Sequence, residues 1–277
     1  MVSIDEASYG QRNNGFFSRL ILAMVFVVVS AGAQAGFQEG MNAYVSGNYP
    51  VALKEFKAHA IKGDAVAQFW LGWMYNDGNG VPQDYQLAMS WYRKAADQGN
   101  MEARFFLGEI YDKGHGVPQD YTQAAAWYRK AAEQNSVIAQ YRLGVMYAYG
   151  LGVPQDDQQA VSWYRKAAEQ GNMEAQLNLG AMYRQGKGVP QDYTEALSWY
   201  RKAAEQGNMK AQFNLGEMYY KGTGVPQDLV QAHKWFSVAA NSGHEEAAKS
   251  IQIVEARMTP EEIGAAQALA QEWLAQH

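Results

Sequence analysis

The chain has 277 residues, 48% of them apolar, which is enough to bury a sizeable core and too much for a disordered tail. Its 23 basic and 28 acidic side chains leave a net charge of -5, which argues against the clustered positive surface that a nucleic-acid grip needs. With no cysteine, it forms no disulfide, no thiolate metal site and no cysteine nucleophile.

Residues 1–35 read as an export signal. Arg12 and Arg19, with the amino terminus, outweigh Asp5 and Glu6, and the uncharged stretch LILAMVFVVVSAGAQA follows. It has a ten-residue apolar run from Leu20 and ends on the small-residue site Ala33-Gln34-Ala35. Cleavage is expected after Ala35, leaving a periplasmic or secreted chain. The apolar run is short for a membrane span, and an uncleaved anchor is the competing reading. Removal takes away two basic and two acidic groups, so 21 and 26 remain and the charge stays at -5. No second targeting or membrane segment follows.

Residues 36–62 are expected to form a degenerate cap, in which Tyr44 and Tyr49 stand five apart where Tyr75 and Tyr85 stand ten apart. Residues 63–242 hold five repeats. The motif GVPQDY begins at Gly80, Gly116 and Gly188, and returns as GVPQDD at Gly152 and GVPQDL at Gly224, always 36 residues on. A fixed period of this size marks a solenoid of stacked units and reduces the chain to one domain.

Within a unit, Ala67, Leu71, Met74, Tyr75 and Gly78 fall at helical spacing on one apolar face. Tyr85, Ala88, Trp91, Tyr92 and Ala95 do the same for a second helix. Between them NDGNGVPQD turns the chain, and Asp84 stands where an N-cap is wanted. Asp192 has Glu195 three residues on, in the manner of a capping box. Gly99 is placed to close the second helix and Asn100 to cap the next. The fold expected is therefore all-α, a solenoid of antiparallel helix pairs. The Trp series 91, 127, 163, 199 and 235 reads as core, and the loop as a hinge used once per unit. A phosphate-cradling role fails, because the loop has no Gly-Lys-Ser/Thr ending and its proline removes an N–H.

Residues 243–277 should close the stack. A helix near 245–257 precedes TPEEIGAAQALAQEWLAQH, where Thr259 caps, Pro260 takes the first helical position and Glu262 completes the box. Trp273 and Leu274 are expected to lie on earlier units.

The stretch AQFNLGEMYYKGTGVPQDLVQAHKWFSVAANSGH carries A-x-x-x-L-G-x-M-Y-x-x-G, a Gly-Val-Pro-x-D loop and A-x-x-W-Y/F-x-x-A-A. It resembles the Sel1-like repeat family, relatives of the tetratricopeptide repeats, strongly over 63–243 and weakly over 37–62 and 244–277. The resemblance implies a right-handed α/α superhelix whose concave face binds other proteins, in exported bacterial chains that act at the envelope, in peptidoglycan-linked processes or against a host. A cysteine-rich branch with β-lactam-related activity is not matched, since its cysteines are missing.

No catalytic, cofactor or metal site is expected. The histidines at 59, 115, 233, 244 and 277 lack metal-ligand spacing, and in HEEAA from His244 an alanine stands where a zinc protease needs its second histidine. The repeated SWYRK has Arg where S-x-x-K needs Lys, and G-x-S-x-G is missing. Its Arg-Lys pair is expected to form helix-surface ion pairs with Asp97 and the glutamates that replace it.

Binding is expected where units differ, because positions that stay constant are packing. On the first helices one stripe reads Trp70, Trp73 and Asp77; then Phe106, Glu109 and Lys113; then Arg142, Val145 and Tyr149; then Asn178, Ala181 and Gln185; then Asn214, Glu217 and Lys221. It is expected to line the concave face, with Trp70, Trp73 and Phe106 as anchors for a protein partner. The competing reading has Trp70 and Trp73 cover the degenerate first unit. A peptidoglycan or other glycan binder, stacking sugars on exposed aromatics, is the alternative class, and a cell-wall hydrolase the third.

Overall fold

The computed structural model describes residues 33–277, so the expected export signal lies almost wholly outside the described residues. Among these residues there are fourteen helices and no strand. The amino-terminal cap is α1 (Ala33–Val45) and α2 (Tyr49–Ile61). Unit 1 is α3 (Ala65–Asp77) and α4 (Tyr85–Asp97), unit 2 is α5 (Met101–Lys113) and α6 (Tyr121–Ala132), and unit 3 is α7 (Val137–Tyr149) and α8 (Asp157–Glu169). Unit 4 is α9 (Met173–Gln185) and α10 (Tyr193–Glu205), and unit 5 is α11 (Met209–Lys221) and α12 (Leu229–Asn241). Short α13 (Ala247–Glu255) and α14 (Pro260–Gln276) close the chain. From α2 to α13 each helix packs on the one before it, and α14 folds back past α13 onto α12.

The helices begin where the sequence offers a side-chain acceptor. Asp84, Asp120, Asp156, Asp192 and Asp228 each accept from backbone N–H groups at the start of the second helix, and Asn100, Asn172 and Asn208 do so for first helices. The reciprocal box is completed at Thr259 and Glu262. At the other end of the first helices the loop glutamine supplies a donor: the Gln83 carboxamide gives a hydrogen bond to the Asn76 carbonyl at 2.7 Å, and Gln119, Gln155, Gln191 and Gln227 repeat the bond. One short loop thus serves both helix ends that the turn leaves open.

The core is built on one substitution of space. Tyr92, Tyr128, Tyr164 and Tyr200 are buried, each ring lying where the side chain of Gly72, Gly108, Gly144 or Gly180 would be. A Cβ added to Gly108 would stand 2.6 Å from the Tyr128 ring, so the two helices of a unit close up only because that atom is missing. A buried polar ladder joins unit to unit: the Gln68 carboxamide donates to the Ala60 carbonyl and accepts from Gln98, and Gln140 with Gln170 and Gln176 with Gln206 copy it. Unit 2 puts Arg104 in the ladder, and its guanidinium reaches both the Ala96 carbonyl and Gln134.

Two expectations change. The loop is more than a hinge, because Gly152, at φ +66°, lies so close to the start of α6 that a Cβ would stand 2.1 Å from the Tyr121 carbonyl. The loop is thus a spacer between units. The expected ion pairs of Arg93 and Lys94 with Asp97 are replaced by other partners. The Arg93 guanidinium donates to the Tyr111 hydroxyl of the next unit at 2.5 Å, and Lys94 lies 4.0 Å from the centre of the Trp91 ring. Arg129, Arg165 and Arg201 hold Tyr147, Tyr183 and Tyr219 in the same way, and Lys130, Lys166 and Lys202 lie over Trp127, Trp163 and Trp199. The arginine bonds tie each unit to the next, whereas the lysine–indole contacts, three residues apart, stay within one helix.

Near the carboxyl terminus Trp273 lies edge-on to Trp235 at 5.8 Å and Leu274 packs on the same cluster. His233 is the exception to the repeat: it is buried where the preceding units have Met89, Ala125, Val161 and Leu197, and its Nε2 lies 2.9 Å from Glu255 of α13.

Candidate partner-binding face

The variable stripe does lie along the first helices, but its members meet one another. The position of Trp73 faces the position of Phe106 in the next unit, with ring centres 5.1 Å apart, and the same two positions one unit later are Glu109 and Arg142, 3.9 Å apart. The stripe is therefore in part a seam between successive first helices. At these two joints the facing residues are matched, ring with ring and carboxylate with guanidinium, which variation along a single helix does not show.

That seam corrects the expected aromatic patch. Trp70, Trp73 and Phe106 are 3%, 9% and 6% exposed, too little to serve as surface anchors. Trp70 packs on Tyr44, Phe56 and Phe69, and the Trp73 indole N–H donates to the Tyr44 hydroxyl at 2.6 Å. The cap supplies Tyr44 and Phe56, so the covering role weighed in the sequence is the one the packing supports.

The polar members fall into two charged groups. Glu109 lies 3.1 Å from Lys113 as well as close to Arg142, and Glu217 lies 3.4 Å from Arg184 and 2.8 Å from Lys221. Arg184 was missed in the sequence because it stands one position off the stripe; only its spacing to Glu217 in three dimensions reveals it. Between the groups, Asn178 and Asn214 are half-buried.

Asp77, Lys113, Tyr149, Gln185 and Lys221 remain exposed, one per unit at equivalent places near the ends of α3, α5, α7, α9 and α11. Tyr149 is 59% exposed, the largest apolar surface on the row, and stands at its centre. This row is acidic at the first unit, basic at the second and fifth, and aromatic or amide between.

Among the described residues no group of three or more His, Asp or Glu side chains could hold a metal ion, and no helix is long and apolar enough to cross a membrane.

Comparison with known proteins agrees with the period. The sequence profile of the Sel1 repeat matches residues 65–100, 102–136, 137–172, 174–208 and 210–244. The fold is similar to that of c5321, a protective antigen present in uropathogenic Escherichia coli strains: identity is 38%, the TM-score 0.76, and the match covers 88% of this chain and 53% of that one. This chain thus spans about half the length of that relative. A Sel1 repeat protein from Oxalobacter formigenes matches at 33% identity and a TM-score of 0.75, over 87% of this chain and 98% of its own. None of the curated proteins compared with the chain matches it.

Proposed function

The chain belongs to the Sel1 repeat family, whose solenoids generally serve as protein-interaction scaffolds, and from that premise we propose that it is an exported scaffold holding a protein partner along its first-helix face. The observation that carries the reading is Tyr149, the one largely exposed aromatic in the middle of a row whose side chains differ from unit to unit. A rigid solenoid offers such a row already ordered, so little freedom is lost on binding and a few anchors suffice. Lys113 and Lys221 on either side of it would pair with acidic groups on the partner, and Gln185 with its backbone or polar side chains. The reading involves no catalytic step and no cofactor.

Export rests on the signal features of residues 1–35, and the similarity to a protective antigen favours the same placement. Peptidoglycan as the ligand of this face loses its motive, because the tryptophans expected to stack on sugars there are buried.

Affinity capture from envelope and medium fractions tests the proposal, comparing the processed wild type with Tyr149→Ala plus Gln185→Ala. A captured protein should be lost from the variant, while a Gln159→Ala control on another side keeps it. Tyr149 is mostly solvated, so its truncation should leave thermal stability within about 0.5 kcal/mol, whereas Trp70→Ala would cost about 3–5 kcal/mol and is no probe of binding. Equal capture by wild type and variant would remove this face from the account.

A further inference from the structure

A second surface differs from the first in being repeated rather than varied. At the joint of units 2 and 3 a shallow cleft of about 480 Å³ is walled by Arg129, Tyr147, Pro154, Asp156, Gln159 and Trp163. Every one of these recurs 36 residues earlier, as Arg93, Tyr111, Pro118, Asp120, Gln123 and Trp127. The interactions recur too: arginine on tyrosine hydroxyl at 2.5 and 2.6 Å, and lysine over indole at 3.9 and 4.1 Å. At the next joint the glutamine becomes Glu195 and the indole, Trp199, is buried.

Packing accounts for part of this constancy. The arginine ties helices, the aspartate caps one and the proline shapes the loop. It does not account for Gln123 and Gln159, which are exposed and whose carboxamides bond no other described residue.

We propose that the two joints form a repeated binding site for a linear polysaccharide that carries carboxylates, one segment of the polymer per cleft. Joints with the same lining residues, set one unit apart along a rigid stack, match a partner that itself repeats, whereas a folded protein would meet a surface without repeats of its own. The lining offers the groups that sugars use: a partly exposed indole and phenol for C–H contacts, a carboxamide for hydroxyl pairs, and a guanidinium for a carboxylate. The Asp120 and Asp156 carboxylates each accept through one oxygen from backbone N–H groups at the helix starts, and Arg93 and Arg129 keep further guanidinium N–H groups besides the one given to tyrosine. Arginine and lysine are both pinned by aromatic neighbours, so their ordering cost is met before the ligand arrives. Two clefts on one rigid body then act together on one polymer.

The test uses the processed protein, titrated by calorimetry and tryptophan fluorescence with oligogalacturonates of two and six sugars. The six-sugar chain should bind at least about tenfold more tightly than the two-sugar chain, and cellohexaose, which lacks carboxylates, should bind more weakly by a similar factor. Gln123→Ala with Gln159→Ala should weaken the six-sugar chain by about tenfold with the melting curve unchanged, and Tyr149→Ala should leave it alone. No binding of the six-sugar chain, no gain with length, indifference to the double substitution, or equal binding of a single-stranded oligothymidylate would each overturn the proposal. Loss of protein capture on the first-helix face would not bear on it.

Discussion

Tyr200 shows how a single atom can be out of step with a well-packed core. Its ring fills the place left open by Gly180, yet its hydroxyl is buried with no partner among the described residues. Tyr128 at the equivalent place donates to Asp112, and unit 5 has Phe236 there with no hydroxyl at all. The ring is therefore what the site requires. Burial pushes the Tyr200 phenol up to about 12, an effect that Arg184 nearby partly offsets, against 10.0 for the free group. For an acid with a raised value the protonated form is favoured in the fold, so its contribution is complete below pH 10 and is lost as pH rises towards 12. Tyr92, Tyr128 and Tyr164 are raised by burial too, so the whole protein should unfold steeply above pH 10. Tyr200→Phe should be neutral or slightly stabilising at pH 7, and should lessen the loss between pH 10 and 12 by roughly 2 kcal/mol. Melting followed by circular dichroism across that range checks both, and an unchanged alkaline slope would mean the hydroxyl is solvated.

Element boundaries were the most legible part of the chain, because each is set by local chemistry: an acceptor at the start, a left-handed residue at the end. Asn135 is the informative deviation. It stands at φ +68° where the corresponding turns have Gly99, Gly171, Gly207 and Gly243, and it is the only non-glycine with a positive φ among the described residues. Asn135→Gly should stabilise the α6–α7 turn by up to about 1 kcal/mol, read as a higher melting temperature. A lower one would mean the asparagine side chain supports the turn. What one helix could not reveal was its neighbour's register. Trp73 and Phe106 are 33 residues apart, and the sequence placed both on the side of the helix away from the core of their own unit. Only stacking turns that side into a seam. Likewise Arg93 and Tyr111 lie 18 apart, and the nearer Asp97 drew the expectation of an ion pair. Facing residues within a unit follow from a period, whereas facing residues across units need the rotation between them.

At the scale of the whole molecule the units are nearly interchangeable, and that permits a test of length against identity. Removing residues 173–208 would place Met209 directly after Asn172, giving GNMK where the chain has GNME. Gln212 would then donate to the Ala168 carbonyl in place of Gln176, and the loop at Gly224 would meet the start of α8 in place of α10, so the buried ladder and the spacer both survive. The chief interaction left without a replacement is the ion pair of Arg184 with Glu217. Because a solenoid is stabilised by neighbours alone, the shortened chain should fold cooperatively and melt only roughly 5 °C lower. The two proposed surfaces respond differently to this change. The clefts at Trp127 and Trp163 are left intact, so binding of a carboxylated glycan should persist. The first-helix row loses Gln185 and brings Lys221 one unit nearer to Tyr149, so a protein partner matched to the spacing of that row should bind much more weakly. If the partner instead binds the shortened chain as well as the full one, recognition needs only the residues around Tyr149, and the fourth unit contributes length rather than specificity.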